Sequence, residues 1–129
     1  MKINFIKETC LYVNDLQKTK EFYHDTLGFP LISLVEGRHV FFRAGESVLL
    51  CFLPEATKNE ENLPPHYAEG KMHLAFEVDG AEYEQWKNKI KELDIPITHE
   101  EKWGEKYQSF YFDDPDGHVL EIVPKGMWG

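Results

Sequence analysis

Hydrophobic and polar positions alternate from Glu8 to Val13, with Thr9, Leu11 and Val13 on one side and Glu8, Cys10 and Tyr12 on the other. A period of two belongs to a strand. The period then changes: Leu16, Thr19, Tyr23 and Leu27 recur at helical spacing, with Asp15 placed as N-cap and Gly28 as the stop. Phe29-Pro30-Leu31 leads into another strand, and Val40–Arg43 and Ser47–Pro54 read as two more across a short turn. The order then repeats. His73–Val78 alternates, and Tyr83, Trp86, Ile90 and Leu93 follow helical spacing behind a candidate cap at Asp79. Ile95-Pro96-Ile97 enters a strand, and Phe110–Asp113 and His118–Pro124 close the series. The pattern is βαβββ, twice, over residues of about 5–54 and about 72–124. The stretch Glu55–Lys71, rich in Glu, Asn and Pro, reads as a loop, and Lys125–Gly129 as a short extension. Helix-backed sheets in duplicate predict an α+β fold, with 1–129 as a single domain. One module alone would leave a sheet face bare, so two must pair, within a chain or between chains.

Composition narrows the function classes. The chain has 129 residues, 42% apolar and 14% aromatic, enough for a core and incompatible with a wholly disordered chain. Its longest uncharged apolar run, Ser47–Pro54, is too short to cross a bilayer. Charges at Lys2, Lys7 and Glu8 interrupt the N-terminus, so no secretory signal is predicted and a cytoplasmic location is expected. With 14 basic and 23 acidic residues, net −9, nucleic acid is a poor partner. The acidity would suit a cationic ligand, though net charge reports solubility first. Cys10 and Cys51 lie in apolar runs outside any CxxC spacing, and are expected to pack as small hydrophobes without a disulfide.

The repeat points to a candidate site. Leu11 and Val13, and in the second module Leu74, Phe76 and Val78, form the more apolar face, which should take the helix. The opposite face then carries Glu8, Cys10 and Tyr12 in one module and His73, Ala75 and Glu77 in the other. In the last strands Val48-Leu49-Leu50 aligns with Val119-Leu120-Glu121, which makes Glu121 a carboxylate in an apolar strand where its counterpart is Leu50. A lone carboxylate buried in a sheet is costly unless something pairs with it. Pseudo-symmetric modules would gather Glu8, Leu50, His73 and Glu121 at one place. Three of these can bind a divalent cation: a neutral imidazole and two carboxylates suit a borderline metal and leave positions open for substrate. Without a metal, Glu8 and Glu121 would repel each other.

Together the segments Glu8-Thr-Cys-Leu-Tyr-Val-Asn-Asp-Leu16, Glu21-Phe-Tyr23, Leu27-Gly28, His73-Leu-Ala-Phe-Glu-Val78 and Tyr111-Phe-Asp-Asp-Pro-Asp-Gly-His-Val-Leu-Glu121 resemble the vicinal oxygen chelate superfamily. That superfamily includes glyoxalase I, extradiol dioxygenases, fosfomycin-resistance thiol transferases and bleomycin-resistance proteins. The likeness covers residues of about 5–124. It implies paired βαβββ modules forming a cupped mixed sheet around a central metal site, with helices on the outer face. The superfamily's ligand positions fall on Glu8, His73 and Glu121. Many members carry histidine where this chain has Glu8, a departure from the pattern of two histidines and one carboxylate in the dioxygenases. Glyoxalase I-like members place a fourth ligand where this chain has Leu50, which cannot coordinate. Small members often form homodimers.

The expected function is that of a metal-dependent enzyme acting on a small oxygen-rich substrate chelated to Zn, Ni, Mn or Fe, through a lyase, isomerase or dioxygenase step. Glu8, Glu121 and Tyr111 are its candidate catalytic residues. Tyr111 lies ten residues before Glu121 and is a candidate donor. The alternative is a metal-free sequestering protein of the bleomycin-resistance type; a third reading is a vestigial site. A homodimer is expected, with a small molecule as partner and neither nucleic acid nor membrane. Arg38, His39 and Arg43 could clamp an anion, but read more simply as solvated strand residues. His66, in Pro64-Pro-His-Tyr67, could cover a cavity from the longest loop. His24, His99 and His118 read as surface or turn residues. Asp113, Asp114 and Asp116 read as a hairpin turn with Pro115 and Gly117 rather than a calcium loop, and Trp103 and Trp128 as core or edge cover.

Overall fold

A computed structural model describes residues 1–129, which divide into two units, Met1–Gly70 and Lys71–Gly129. In the first, strand β1 (Glu8–Tyr12) runs parallel to β4 (Ser47–Phe52), β4 antiparallel to β3 (His39–Ala44), and β3 antiparallel to β2 (Leu31–Val35), in the order β1-β4-β3-β2. Helix α1 (Leu16–Lys20) opens where the sequence places its cap. The Asp15 carboxylate accepts the Lys18 amide at 3.0 Å, satisfying one of the amides left over at a helix start. The expected regular helix then widens into a π-helical stretch, Glu21–Thr26, with the Leu27 amide bonding to the Phe22 carbonyl five residues back. Tyr23 still reaches the core and packs 5.4 Å from Phe42. Gly28 ends the element at φ +85°, a conformation glycine adopts without strain.

Leu11 and Val13 are buried on the helix side of this sheet, as the pattern predicts, and Val40, Phe42, Leu49 and Cys51 are buried on the same face. Cys10 falls on the opposite face from Cys51, so the two thiols point apart and form no disulfide. The expected loop after β4 instead begins with helix α2 (Pro54–Lys58). Pro54 sits in its first turn, where a missing amide hydrogen costs nothing, and Thr57 is buried beneath it.

The second unit repeats the plan. Strand β5 (His73–Val78) is parallel to β8 (Val119–Pro124), which is antiparallel to β7 (Tyr107–Asp113), and β7 to β6 (His99–Trp103), in the order β5-β8-β7-β6. A 3₁₀ turn, Gly80–Glu82, precedes helix α3 (Tyr83–Glu92). Asp79 therefore stands ahead of that turn and makes no capping bond, contrary to the expected role, and Leu93 lies past the helix end and is exposed. Ile90, Phe110, Phe112, Leu120 and Ile122 are buried. The β7–β8 turn takes the form its sequence dictates. Asp114 Oδ1 accepts the amides of Asp116 and His118, each at 2.9 Å, and Gly117 adopts φ +82°. His118 is buried rather than on the surface, because its Nδ1 accepts the Met72 amide at 3.0 Å and ties the start of β5 to the turn before β8. The architecture is α+β: two mixed four-stranded sheets, each backed by helix, and no helix is long and apolar enough to cross a membrane.

Candidate metal centre

Strand register makes the repeat explicit. Glu8 pairs with Val48 and Cys10 with Leu50; His73 pairs with Val119 and Ala75 with Glu121. Glu8 and His73 are therefore equivalent positions, as are Leu50 and Glu121. Tyr111 lies opposite Glu121 in the β7–β8 ladder, where Phe41 lies opposite Leu50, and His99 lies opposite Tyr111. Cross-strand neighbours share a face, so His73, Glu121, Tyr111 and His99 project from one side of the second sheet, away from Phe110, Phe112, Leu120 and Ile122.

His73 and Glu121 meet, with Nε2 3.3 Å from Oε1. The other imidazole nitrogen, Nδ1, lies 2.8 Å from the Val119 carbonyl, an acceptor only, so Nδ1 carries the hydrogen and donates it. In its neutral form the ring presents an Nε2 lone pair to a carboxylate oxygen, which also offers only lone pairs. Two acceptors then face each other, and a proton or a metal ion between them relieves the contact. Glu121 is 6% exposed and its second oxygen, Oε2, is buried with no hydrogen-bond partner. An orphaned buried carboxylate oxygen is costly. His73 is 52% exposed at its side chain, so the pair opens to one side. Fixing a histidine through its distal N–H on a backbone carbonyl is the usual support of a metal-binding imidazole. The donor set thus fits a divalent cation.

Glu8 lies in the first unit, exposed at the start of β1, and neither unit by itself assembles three or more His, Cys, Asp or Glu side chains able to hold a metal. Tyr111 stands beside the pair, its ring 6.1 Å from that of His73. Burial, and after it the Glu121 carboxylate, pushes the Tyr111 phenol above its ordinary value, while Ser109 pulls the other way, so the hydroxyl keeps its proton and serves as a donor. His99 contacts Tyr111 at 5.6 Å and is bonded to Glu101 at 2.7 Å. Trp103 is edge cover, its indole N–H donating to Ser109 Oγ at 2.9 Å.

Other candidates divide. Arg43 and Trp128 are exposed. His39, read from sequence as solvated, is buried. It stacks on Phe41 at 3.8 Å, receives Arg38 Nη1 on Nδ1 at 2.6 Å and reaches Ser33 Oγ at 3.2 Å. Burial, then the Arg38 charge, lowers its pKa. Sequence reasoning also missed Tyr83, whose buried hydroxyl has no partner. Its pKa is pushed up to about 12 by burial first, then by Glu100, Glu84 and Glu121. A tyrosine in a helical stripe gives no signal of this, since most find a partner for the hydroxyl.

Each unit follows the βαβββ plan, and the second carries a histidine and a carboxylate on parallel, adjacent strands. The model of the Glyoxalase/Bleomycin resistance protein/Dioxygenase superfamily matches residues 3–122, and the chain belongs to that superfamily. Among curated relatives, a protein named metallothiol transferase FosB from Staphylococcus epidermidis is 31% identical over 125 residues, covering 95% of this chain and 82% of the relative. Glutathione transferase FosA from Serratia marcescens is 30% identical over 117 residues, covering 91% and 78%. Among solved structures, lactoylglutathione lyase from Agrobacterium tumefaciens superposes with a TM-score of 0.94 at 33% identity, covering 100% of this chain and 99% of that one.

Proposed function

We propose that the protein is a metal-dependent enzyme that binds a divalent cation (Zn, Ni, Mn or Fe) through Glu8, His73 and Glu121 and acts on a small oxygen-rich substrate. The observation that carries this reading is the facing pair of acceptors at 3.3 Å, His73 Nε2 and Glu121 Oε1, beside the orphaned Glu121 Oε2. A bound cation would supply Lewis acidity, drawing charge onto substrate oxygens. The chain's own groups do the rest. The Val119 carbonyl orients His73. Tyr111 donates a hydrogen bond to a substrate oxygen. The Glu8 and Glu121 carboxylates are the candidate proton acceptors. Relatives named for thiol transfer and for lactoylglutathione favour thiol chemistry, the addition of a thiol to an electrophile or the rearrangement of a thiol adduct, over ring-cleaving oxygenation. The apolar, uncharged edge strand Leu31-Ile-Ser-Leu-Val35, exposed at four of its five residues, supports function as a homodimer in which a second copy covers it.

The test strips the protein with a chelator, reloads it separately with Zn, Ni, Mn or Fe, and offers glutathione with an epoxide or with a 2-oxoaldehyde. Turnover that requires one of the metals and disappears in Glu121→Ala supports the reading. No turnover of either class by protein shown to hold metal would overturn the thiol assignment. Failure to hold metal at all would overturn the enzyme reading in favour of a sequestering protein.

A further inference from the structure

The first unit carries a second polar cluster that the candidate metal centre does not use. Tyr12 occupies the same face of β1 as Glu8, four residues on, about 13 Å along an extended strand. In the ladder it is level with Phe52, and Phe52 with His39, so three rings share one row of the sheet. His66 is brought to this row from the loop after α2. Its amide bonds to the Thr57 carbonyl at 3.2 Å, and its Nδ1 lies 2.6 Å from the Tyr12 hydroxyl. The His66 ring sits edge-on to Phe52 at 5.1 Å, and the Arg38 guanidinium lies over the same phenyl ring at 5.4 Å. Arg38 is held there by His39 at 2.6 Å and by Glu60 at 3.3 Å.

Such an arrangement offers hydrogens outward. Burial first, then Cys10, raises the Tyr12 phenol, so it keeps its proton. In the tautomer whose Nδ1 accepts that proton, the imidazole hydrogen sits on Nε2 of an exposed ring. Arg38 has five N–H groups, of which its bonds to His39 and Glu60 use two. A fixed cation and a fixed N–H donor flanking one aromatic ring, in a chain of net charge −9, form a feature that general acidity does not explain.

We infer that Arg38, His66 and Tyr12 form an oxyanion-binding subsite, in which Arg38 and the His66 Nε2–H grip a carboxylate or phosphate group of a ligand, Tyr12 orients the imidazole and Phe52 forms the floor. The subsite stands on the first unit's own geometry and does not require the metal reading. The experiment therefore uses metal-stripped protein. Acetate and inorganic phosphate are titrated separately at constant ionic strength, with the imidazole C–H resonances followed by NMR and His66 assigned through His66→Gln. The expected result is a saturable shift of the His66 resonance. Its dissociation constant should rise by about fivefold or more in Arg38→Gln and in Tyr12→Phe. Tighter binding of phosphate identifies a phosphoryl ligand, and equal or tighter binding of acetate a carboxylate. Shifts that follow ionic strength alone, or a saturable shift unchanged in Tyr12→Phe, would overturn the inference. Tyr12→Phe removes only a hydroxyl and keeps the test decisive should Arg38→Gln fail to fold.

Discussion

Replacing Glu121 with leucine, the residue at the equivalent position of the other repeat, should make the metal-stripped protein more stable. The carboxylate is buried, faces the His73 lone pair and leaves Oε2 without a partner. An unsatisfied buried group of this kind costs about 1–3 kcal/mol, and Glu121→Leu removes that cost while filling similar space. For 129 residues the entropy of unfolding is about 0.27 kcal/mol per degree, so the gain corresponds to a rise of about 4–11 °C in Tm. Metal works against that ranking. At a metal concentration about a hundred times Kd the wild type gains about 2.7 kcal/mol, and Glu121→Leu gains nothing. Calorimetric melts of both proteins, with chelator and with each metal, measure all four terms. A Glu121→Leu protein less stable than the stripped wild type would refute the reasoning, because the carboxylate would then be satisfied by groups of the chain itself. Equal metal responses would refute the ligand role.

The remaining predictions use other groups. Tyr83→Phe should stabilise the protein by about 1 kcal/mol in thermal melts at neutral pH, since it deletes a buried hydroxyl with no partner. The Tyr83 pKa is raised to about 12 from the ordinary 10, so the stability linked to its protonated form is fully present below pH 10 and is lost as pH climbs from 10 towards 12. Tyr83→Phe should flatten that part of the curve. His39 has a lowered pKa, so the stability its neutral ring contributes is present above the usual value of 6.5 and is lost as pH falls through the folded value. Denaturant unfolding of His39→Gln should show a shallower acid decline than the wild type. Tyr111→Phe should lower kcat by about 10²-fold with metal content unchanged, the signature of a lost donor rather than a lost ligand.

The duplicated strand–helix–strand order was legible because alternation and helical spacing follow directly from which faces are buried. Leu11, Val13, Tyr23 and Ile90 occupy the core that their spacing assigns. The anomaly of Glu121 was legible for the same reason: a repeat supplies its own control, and Leu50 is the control for Glu121. What escaped depends on hydrogen bonds no period encodes. The π-helical turn at Glu21–Thr26 differs from a regular helix only in which carbonyl each amide finds. Helix α2 arises where Pro54 starts a turn in a polar stretch whose composition reads as loop. His118 is buried where the Met72 amide, 46 residues away, meets its ring nitrogen, and His39 where it stacks on Phe41 and receives its neighbour Arg38, contacts that no period encodes. The His73–Val119 carbonyl bond, which fixes the tautomer, likewise joins residues 46 apart in sequence.

Metal content bears most directly on the central claim. Purified protein, dialysed against each divalent metal in turn and then against buffer, would be analysed by mass spectrometry for the elements beside Glu8→Ala, His73→Ala and Glu121→Ala. The account predicts retention of one equivalent of at least one metal by the wild type and its loss in all three variants. A wild type that retains none, or variants that retain as much as the wild type, would contradict it.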